Sequence, residues 1–143
     1  MAEPLLPIGE LARRTGVAIT ALRYYDELGL VRPEARASGQ RRYAESAVRD
    51  VGVVLFLRDV GFSLAEIAEL GAVRSGSDEW AALVERKVAE LAEQERSLRV
   101  ARTALEHARD CPAEDPRRCP RFWAIVDARL AGASVEDSHA VVH

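Results

Sequence analysis

The chain contains two cysteines, Cys111 and Cys119, and each is followed directly by a proline. Proline suits the first position of a helix, so Pro120 places Cys119 at the N-cap of a short helix expected at about residues 121–130. The positive end of that helix dipole favours the thiolate. Cations nearby add to this effect: Arg117, Arg118 and Arg121. Cys111 lies at the other end of a short loop that can fold back, and two thiolates facing each other there suit a soft metal ion.

A histidine could complete such a site, because an imidazole beside two thiolates suits zinc or another borderline ion. His107 precedes Cys111 by one helical turn and is therefore a candidate ligand. The alternative is an ordinary histidine that faces solvent from a helix. His139 and His143 lie in the polar segment 133–143, which we expect to be frayed, so we expect neither to take part.

A second set of candidate residues is a cluster of arginines near the N-terminus. Between Arg13 and Tyr43 the arginines outnumber the acidic residues Asp26, Glu27 and Glu34, although the whole chain has a formal net charge of −3. A local basic patch of this kind predicts phosphate contacts, which position a protein on nucleic acid. Its members are Arg13, Arg14, Arg23, Arg32, Arg36, Arg41 and Arg42.

The elements that must position these arginines are predicted by apolar spacing and by turn residues. A first helix is expected over Ile8–Arg14, a tight turn at Thr15-Gly16, and a second helix over Ala18–Leu28. Gly29 suits the left-handed residue that ends a helix. A small hairpin that ends in Arg41-Arg42-Tyr43 follows. This order predicts a winged helix-turn-helix, in which the second helix presents a free polar face to a major groove.

The rest of the chain is predicted to be helical. A helix is expected over Glu45–Val60, and Ser63 with Glu66 forms the signature of a capping box before a helix from Leu64 to about Leu70. Residues 71–76 form a linker. From Asp78 to Arg109 there is no proline or glycine, and apolar residues recur at intervals of seven, which predicts a coiled-coil seam. The members of this seam are Val84, Leu91, Leu98 and Leu105.

Several classes of protein are excluded by the composition. Residues 1–7 lack the charged and apolar regions of a signal peptide, and no apolar run is long enough to span a bilayer, so we expect a cytoplasmic protein with reduced cysteines. The chain has no glycine-rich phosphate loop and no nucleophile elbow, and it is therefore not expected to be an enzyme.

The first seventy residues contain four characteristic segments: Ile8-Gly9-Glu10-Leu11-Ala12, Thr15-Gly16-Val17, Leu22-Arg23-Tyr24-Tyr25-Asp26-Glu27-Leu28-Gly29-Leu30-Val31 and Arg41-Arg42-Tyr43. In these segments the chain resembles the DNA-binding domain of the MerR family of bacterial transcription regulators. The resemblance implies a homodimer that grips a palindromic promoter, distorts the DNA and so activates transcription by RNA polymerase. It also implies DNA contacts at Thr20, Arg23 and Tyr25 of the recognition helix and at Arg36, Arg41 and Tyr43 of the wing. Tyr24 projects from the same helix and Arg42 belongs to the basic patch, so both are added to the predicted DNA-binding residues. Gln40 stands where the family wing often has an aromatic residue.

The cysteine loop resembles the metal-binding loop of the copper/silver/gold and zinc branches of this family. In those branches the residue at the start of the partner's long helix differs between sensors of divalent ions, which have a cysteine there, and sensors of monovalent ions, which have a serine. Ser77 aligns with that position. A serine there implies a monovalent ion such as Cu(I) or Ag(I) held by Cys111 and Cys119 alone, whereas ligation by His107 would favour Zn(II). A redox, electrophile or small-molecule sensor in which the cysteines bind no metal is the alternative.

The predicted fold class is mainly α, with three parts. Residues 1–75 form a winged helix-turn-helix domain with hinge helices, residues 76–110 form a dimerisation helix in an antiparallel coiled coil, and residues 111–143 form the effector loop, a terminal helix and a tail. Two cysteines cannot hold the iron–sulfur cluster of the family's redox branch, which takes four thiolates per chain. The residues after the coil are too few for the large ligand domain of its multidrug branch.

Overall fold

The computed structural model describes residues 3–140, except for the side chain of residue 139. The mainly α fold class predicted from the sequence is confirmed, with an N-terminal winged helix-turn-helix and a long helix. The chain divides into two compact units, and the boundary between them falls after Lys87. The elements are β1 (Leu6–Pro7), α1 (Ile8–Thr15), α2 (Ile19–Glu27), β2 (Ala35–Ala37), β3 (Gln40–Tyr43), α3 (Ala47–Asp59), α4 (Leu64–Ala72), α5 (Asp78–Asp110), α6 (Pro120–Leu130) and α7 (Val135–Ala140), with one 3₁₀ turn at Pro116–Arg118.

The helix-turn-helix of the first unit forms where the sequence predicts it. Gly16 takes a left-handed conformation (φ 73°) between α1 and α2, and its N–H donates to the carbonyl of Ala12. Gly29 (φ 73°) ends α2 in the same way, and the N–H of Leu30 then donates to the carbonyl of Tyr25 at 2.8 Å. These two turns bound α2 at its two ends and fix its orientation within the domain.

The wing is a three-stranded antiparallel sheet with the strand order β1-β3-β2. Ser38 (φ 50°) and Gly39 (φ 75°) form the two-residue turn of the predicted hairpin. The strand β1 was not expected from the sequence, and it pairs Leu6 with Tyr43. Two residues are too few to show an alternating pattern, so only the tertiary pairing reveals this strand.

The core of the first unit lies between α1, α2, β3, α3 and α4. Leu11, Leu22, Tyr43 and Val51 are fully buried in it, and Phe62 and Ile67 join it from the far side. The predicted capping box is present, because Ser63 Oγ accepts from the N–H of Glu66 while the Glu66 side chain accepts from the N–H of Ser63. This cap fixes where α4 begins.

The second unit contains most of α5, the cysteine loop, α6 and α7. Apolar side chains of α5 are exposed in the single chain, and Leu98 is 70% exposed. We expected segment 133–143 to be frayed, and for residues 135–140 the helix α7 corrects this expectation. Ser134 Oγ accepts from the N–H of Asp137 at 3.0 Å and caps α7, which packs on α6. His143 lies outside the described residues, as does the side chain of His139.

None of the described helices, α5 included, combines the length and the apolar composition that a membrane span needs. The sequence divides the chain into three parts, whereas the fold groups the first turns of α5 with the winged unit. The predicted antiparallel pairing of α5 with a second copy stays a prediction.

Candidate nucleic-acid interface and thiol site

One face of α2 is polar and exposed, as a recognition helix requires. Thr20, Arg23 and Tyr24 point outward from it, and Tyr24 is 49% exposed. Leu22 and Tyr25 lie on the opposite face and anchor the helix in the core. The packing of this opposite face therefore leaves the polar face of α2 exposed.

The wing is fastened to α2 by Asp26. Its Oδ2 accepts from Arg41 Nε at 2.7 Å and from an Nη of Arg36 at 3.4 Å. The carboxylate is mostly buried, and its hydrogen bond to Arg41 is the main cause that raises the pKa of that guanidinium. Sequence reasoning treated Asp26 only as a negative charge, although its place at the end of the recognition helix puts it within reach of a wing. Asp26 thus sets where two predicted DNA contacts, Arg36 and Arg41, can point.

Arg42 lies on the central strand β3, and its side chain makes weaker contacts. One of its Nη atoms lies 3.4 Å from Gln40 Oε1 and 3.4 Å from the carbonyl of Arg41. Gln40 stands where the family wing often has an aromatic residue, so here a side-chain amide takes part in orienting the arginine.

Tyr25 and Tyr43 are predicted DNA contacts, whereas the structure buries both. Tyr25 is 3% exposed and Tyr43 is 0% exposed. The Tyr43 hydroxyl is also buried and has no hydrogen-bond partner among the described residues, and burial raises the pKa of this phenol. Both rings therefore support the recognition helix and the wing from beneath, and a DNA contact through either tyrosine stays a prediction.

The basic patch carries less net positive charge than the count of its arginines suggests, because two of them form ion pairs with acidic residues. Arg14 Nη1 donates to Glu45 Oε2 at 2.7 Å, and Arg13 is paired with Glu10. Both acidic partners lie outside the window of residues 13–43 that defines the patch, so counting charges within that window misses them. The predicted DNA-facing charge is consequently concentrated on α2 and the wing.

Cys111 and Cys119 come together in the second unit, as their spacing predicts. Both are free thiols, and both are half-buried. They line a cavity of about 280 Å³ with Pro112, Phe122 and Ile125. The site thus places two sulfur atoms against a largely apolar wall.

The loop between the cysteines is held by a small set of hydrogen bonds. Asp115 Oδ1 accepts from the N–H of Arg117 at 2.9 Å and so caps the 3₁₀ turn. The N–H of Cys119 donates to the carbonyl of Pro116, and Trp123 Nε1 donates to the carbonyl of Arg117 at 2.6 Å. These bonds tie the loop to the first turn of α6.

Cys119 stands at the N-cap of α6, as predicted. Its sulfur accepts no capping hydrogen bond of ordinary geometry, yet nearby donors hold the pKa of this thiol below its usual range. The N–H of Phe122 is the largest cause, followed by the N–H of Arg121 and the Cys111 thiol, while partial burial opposes them. The charge of Arg121 adds the smallest part, whereas Arg117 is paired with Asp115. The helix N-terminus, more than the predicted arginine cluster, favours the thiolate.

The other predicted ligands lie in different settings. His107 lines the same cavity as the cysteines. Within the part of the chain that the structure describes, no three His, Cys, Asp or Glu side chains converge closely enough to hold a metal ion. Ser77 Oγ accepts from the N–H of Trp80 at 3.1 Å and therefore caps the first turn of α5.

Two family profiles match this chain. The profile described as MerR HTH family regulatory protein matches residues 6–72, and the profile described as MerR, DNA binding matches residues 48–108. Together they run from the wing strand β1 almost to the end of α5.

Relatives and a solved structure agree with these profiles. The HTH-type transcriptional regulator HmrR of Rhizobium leguminosarum bv. viciae is 33% identical over 125 residues, which cover 84% of this chain and 97% of the relative. The heavy metal-dependent transcription regulator 2 of Rhizobium meliloti is 34% identical over 132 residues, which cover 84% of this chain and 86% of the relative. The crystal structure of a MerR family transcriptional regulator from Bacillus cereus matches with a TM-score of 0.60 at 25% identity, over 89% of this chain and 97% of that one. These relatives are regulators of transcription and not enzymes.

Proposed function

The chain belongs to the MerR family of helix-turn-helix regulatory proteins and is a DNA-binding transcriptional regulator, and from this premise we propose that it is a dimeric sensor of a soft metal ion. One observation supports the effector part of this proposal. Cys111 and Cys119 line one cavity at the N-terminus of α6, and the pKa of Cys119 is lowered. Metal ions of this class bind thiolates, so a lowered pKa reduces the competition from protons.

The DNA half of the proposal rests on the polar face of α2 and on the wing beside it. Arg23 and Tyr24 reach outward from the helix, and Asp26 orients Arg36 and Arg41 of the wing. In this arrangement the helix enters a major groove and the wing arginines meet the flanking phosphates. Thr20 and Arg42 extend the same surface, whereas Tyr25 and Tyr43 support it from the core.

Dimerisation is supported by the apolar stripe on α5. Of the predicted seam, Leu91, Leu98 and Leu105 are exposed in the single chain and Val84 is half-buried. A helix that leaves a seven-residue apolar repeat in water gains stability when a second helix covers it. We propose an antiparallel pairing with a second copy, which would place two winged units on a palindromic promoter.

The donor set at the thiol site fits a soft ion. Two sulfur atoms at the ends of one loop, beside apolar side chains, suit Cu(I) or Ag(I), which bind thiolates in preference to oxygen ligands. A relative described as heavy metal-dependent supports metal as the effector class. Zn(II) is the second ion to test, because His107 lies in the wall of the same cavity.

Effector capture would act by changing a conformational equilibrium. Binding to both cysteines ties Cys111 to the N-terminus of α6 and so favours one arrangement of the loop and helix. A ligand shifts an equilibrium only through unequal affinity for its two states, so the effector must bind one arrangement of the dimer more tightly. That arrangement then distorts the promoter into a form that RNA polymerase can use.

The experiment that tests this proposal replaces both thiols together. In the Cys111→Ser, Cys119→Ser double variant, Ag(I) should no longer raise transcription from the bound promoter, while affinity for DNA stays within about twofold of the wild type. Ser97→Ala, which changes an exposed small polar side chain elsewhere in the second unit, is the matched control and should keep the response. Persistence of the Ag(I) response in the double variant would exclude the thiols as the sensor.

The lowered pKa of Cys119 beside Cys111 also favours a second candidate, a thiol redox switch. A peroxide would oxidise the two thiols to a disulfide and be reduced to water or alcohol, with two protons and two electrons leaving the sulfurs. Peroxide-dependent transcription without any metal effect would select this candidate. The DNA-binding half of the proposal is the same in both cases.

A further inference from the structure

Lys87 is buried in the first unit although lysine is rarely a core residue. Only 7% of it is exposed, and it is the last residue of that unit along α5. Its Nζ lies 5.3 Å from the centre of the Phe62 ring, within the range of a cation–π contact. Phe62 is itself a member of the core. The charge of Lys87 is thus held at the edge of the hydrophobic core.

Lys87 forms an ion pair with Glu66, the residue that also completes the capping box of α4. Lys87 Nζ lies 2.9 Å from Glu66 Oε2 and 3.2 Å from Oε1. The same Oε1 accepts from the N–H of Ser63 at 2.9 Å. These bonds, with that of the Ser63 backbone as the largest cause, lower the pKa of Glu66 to about 2. One carboxylate therefore joins the side of α5 to the first turn of α4.

An ion pair at this position carries a desolvation penalty. A buried ion pair often adds no more stability than apolar side chains of the same volume, because both charges must leave water. Unlike an apolar contact, however, its hydrogen bonds have direction and fix one helix in register on another. Here they fix α5 on α4, whose Ile67 packs in the same core as Leu22 and Tyr25 of α2.

We propose that Lys87 is a positioning residue that couples α5 to the capped N-terminus of α4, so that effector capture at the cysteines reaches the winged unit through this joint. This inference deepens the proposed function and rests on it. The proposed coupling runs through a contact within the first unit. A variant at this contact should therefore lose the coupling while it still folds and binds DNA.

The test compares Lys87→Met with its neighbour, Arg86→Met, in the full-length chain. Both changes remove one positive charge from the same turn of α5. Arg86, however, bonds Glu69 at 3.2 Å in an exposed pair, which is expected to contribute little. The double variant Lys87→Met/Glu66→Gln removes both charges of the pair, the buried one of Lys87 and the half-buried one of Glu66. It retains the capping box, because glutamine can take the same role as glutamate in the cap.

The readout is hydrogen exchange at the amides of α4, with and without Ag(I). In the wild type and in Arg86→Met, Ag(I) should slow this exchange at least ~5-fold, the lower end of ordinary coupling between sites. In Lys87→Met and in the double variant the ratio should fall below about twofold, while Ag(I) affinity and thiol protection stay unchanged. A residue with only a structural role would change exchange equally in both states and leave the ratio intact.

Each outcome decides the inference. A wild-type ratio retained in Lys87→Met, or lost equally in Arg86→Met, would overturn it. Ag(I) that protects both thiols of the wild type without slowing α4 would overturn the inference alone. Ag(I) that fails to protect the thiols of the wild type would instead overturn the proposed function, and the inference with it.

Discussion

The buried hydroxyl of Tyr43 gives a prediction that separates a core role from a DNA contact. Tyr43 is 0% exposed, its ring lies in the core of the winged unit, and its hydroxyl finds no hydrogen-bond partner among residues 3–140. Tyr43→Phe removes this one oxygen and keeps the ring. We therefore expect the variant to be more stable than the wild type and to bind DNA equally well.

The magnitude follows from the cost of burying a polar group without a partner. An unsatisfied buried hydroxyl costs about 1–3 kcal/mol, and its removal leaves a cavity no larger than one oxygen atom. We expect Tyr43→Phe to raise the free energy of unfolding by about 1 kcal/mol, the lower end of that range. For a chain of this size, that corresponds to a rise in melting temperature of roughly 2–4 °C.

The assay pairs denaturant unfolding with a DNA-binding titration at one protein concentration, because a dimer's stability depends on concentration. Tyr24→Phe is the matched control, since it deletes the same atom from a tyrosine that is 49% exposed on the recognition helix. The control should leave stability within about 0.5 kcal/mol of the wild type, as surface substitutions usually do.

Two results would refute this reasoning. A loss of about 1 kcal/mol or more in Tyr43→Phe would mean that the hydroxyl has a hydrogen-bond partner in solution. A roughly tenfold loss of DNA affinity at unchanged stability, equal to about 1.4 kcal/mol, would mean that the hydroxyl reaches DNA, as the sequence predicts.

Three further predictions concern the recognition helix, the dimer seam and the capping carboxylate. Arg23→Ala should weaken DNA binding in every effector state. The slope of log affinity against log salt concentration should become shallower by about 0.9 for each phosphate that the variant no longer contacts, and an unchanged slope would exclude a phosphate contact. Leu98→Glu should give a monomer in light scattering at micromolar concentration, because each copy loses about 1.5–3 kcal/mol of apolar burial and gains a charge in the proposed seam. A dimer that persists in this variant would mean that Leu98 does not lie in the dimer interface. The folded state holds the pKa of Glu66 at about 2, below its ordinary value of 4.5, so its contribution to stability is present above pH 4.5 and is lost as pH falls towards 2. In unfolding titrations Glu66→Gln should lack this part of the acid loss, and an identical pH profile in the variant would contradict the assignment.

Local signals in the sequence predict much of this fold. Gly16 and Gly29 mark the ends of α1 and α2, and Ser63 with Glu66 marks the start of α4, because each signal depends on residues within one or two turns. The meeting of Cys111 with Cys119 was also predicted, since a short loop and a proline at the first helix position leave few other arrangements.

Features that depend on tertiary contacts could not be predicted in this way. Asp26 acquires its role only when the wing folds back on α2, and Glu66 acquires its second role only when Lys87 lies against it. The period of α2 placed Tyr25 on the packing face, and the burial of its ring confirms this, whereas the DNA contact that the family resemblance implies stays a prediction. The helix α7 was missed because its cap, Ser134 with Asp137, lies in a polar segment without apolar periodicity.

The central claim is that Cys111 and Cys119 bind a soft metal ion, and an anaerobic titration of the reduced protein tests it most directly. Ag(I), Cu(I) and Zn(II) are added in turn against competing chelators, and reactive thiols are counted at each step. We predict tight binding of one Ag(I) or Cu(I) per chain, with both thiols protected. Binding no stronger than to the chelator, with both thiols still reactive, would contradict the metal-sensing claim.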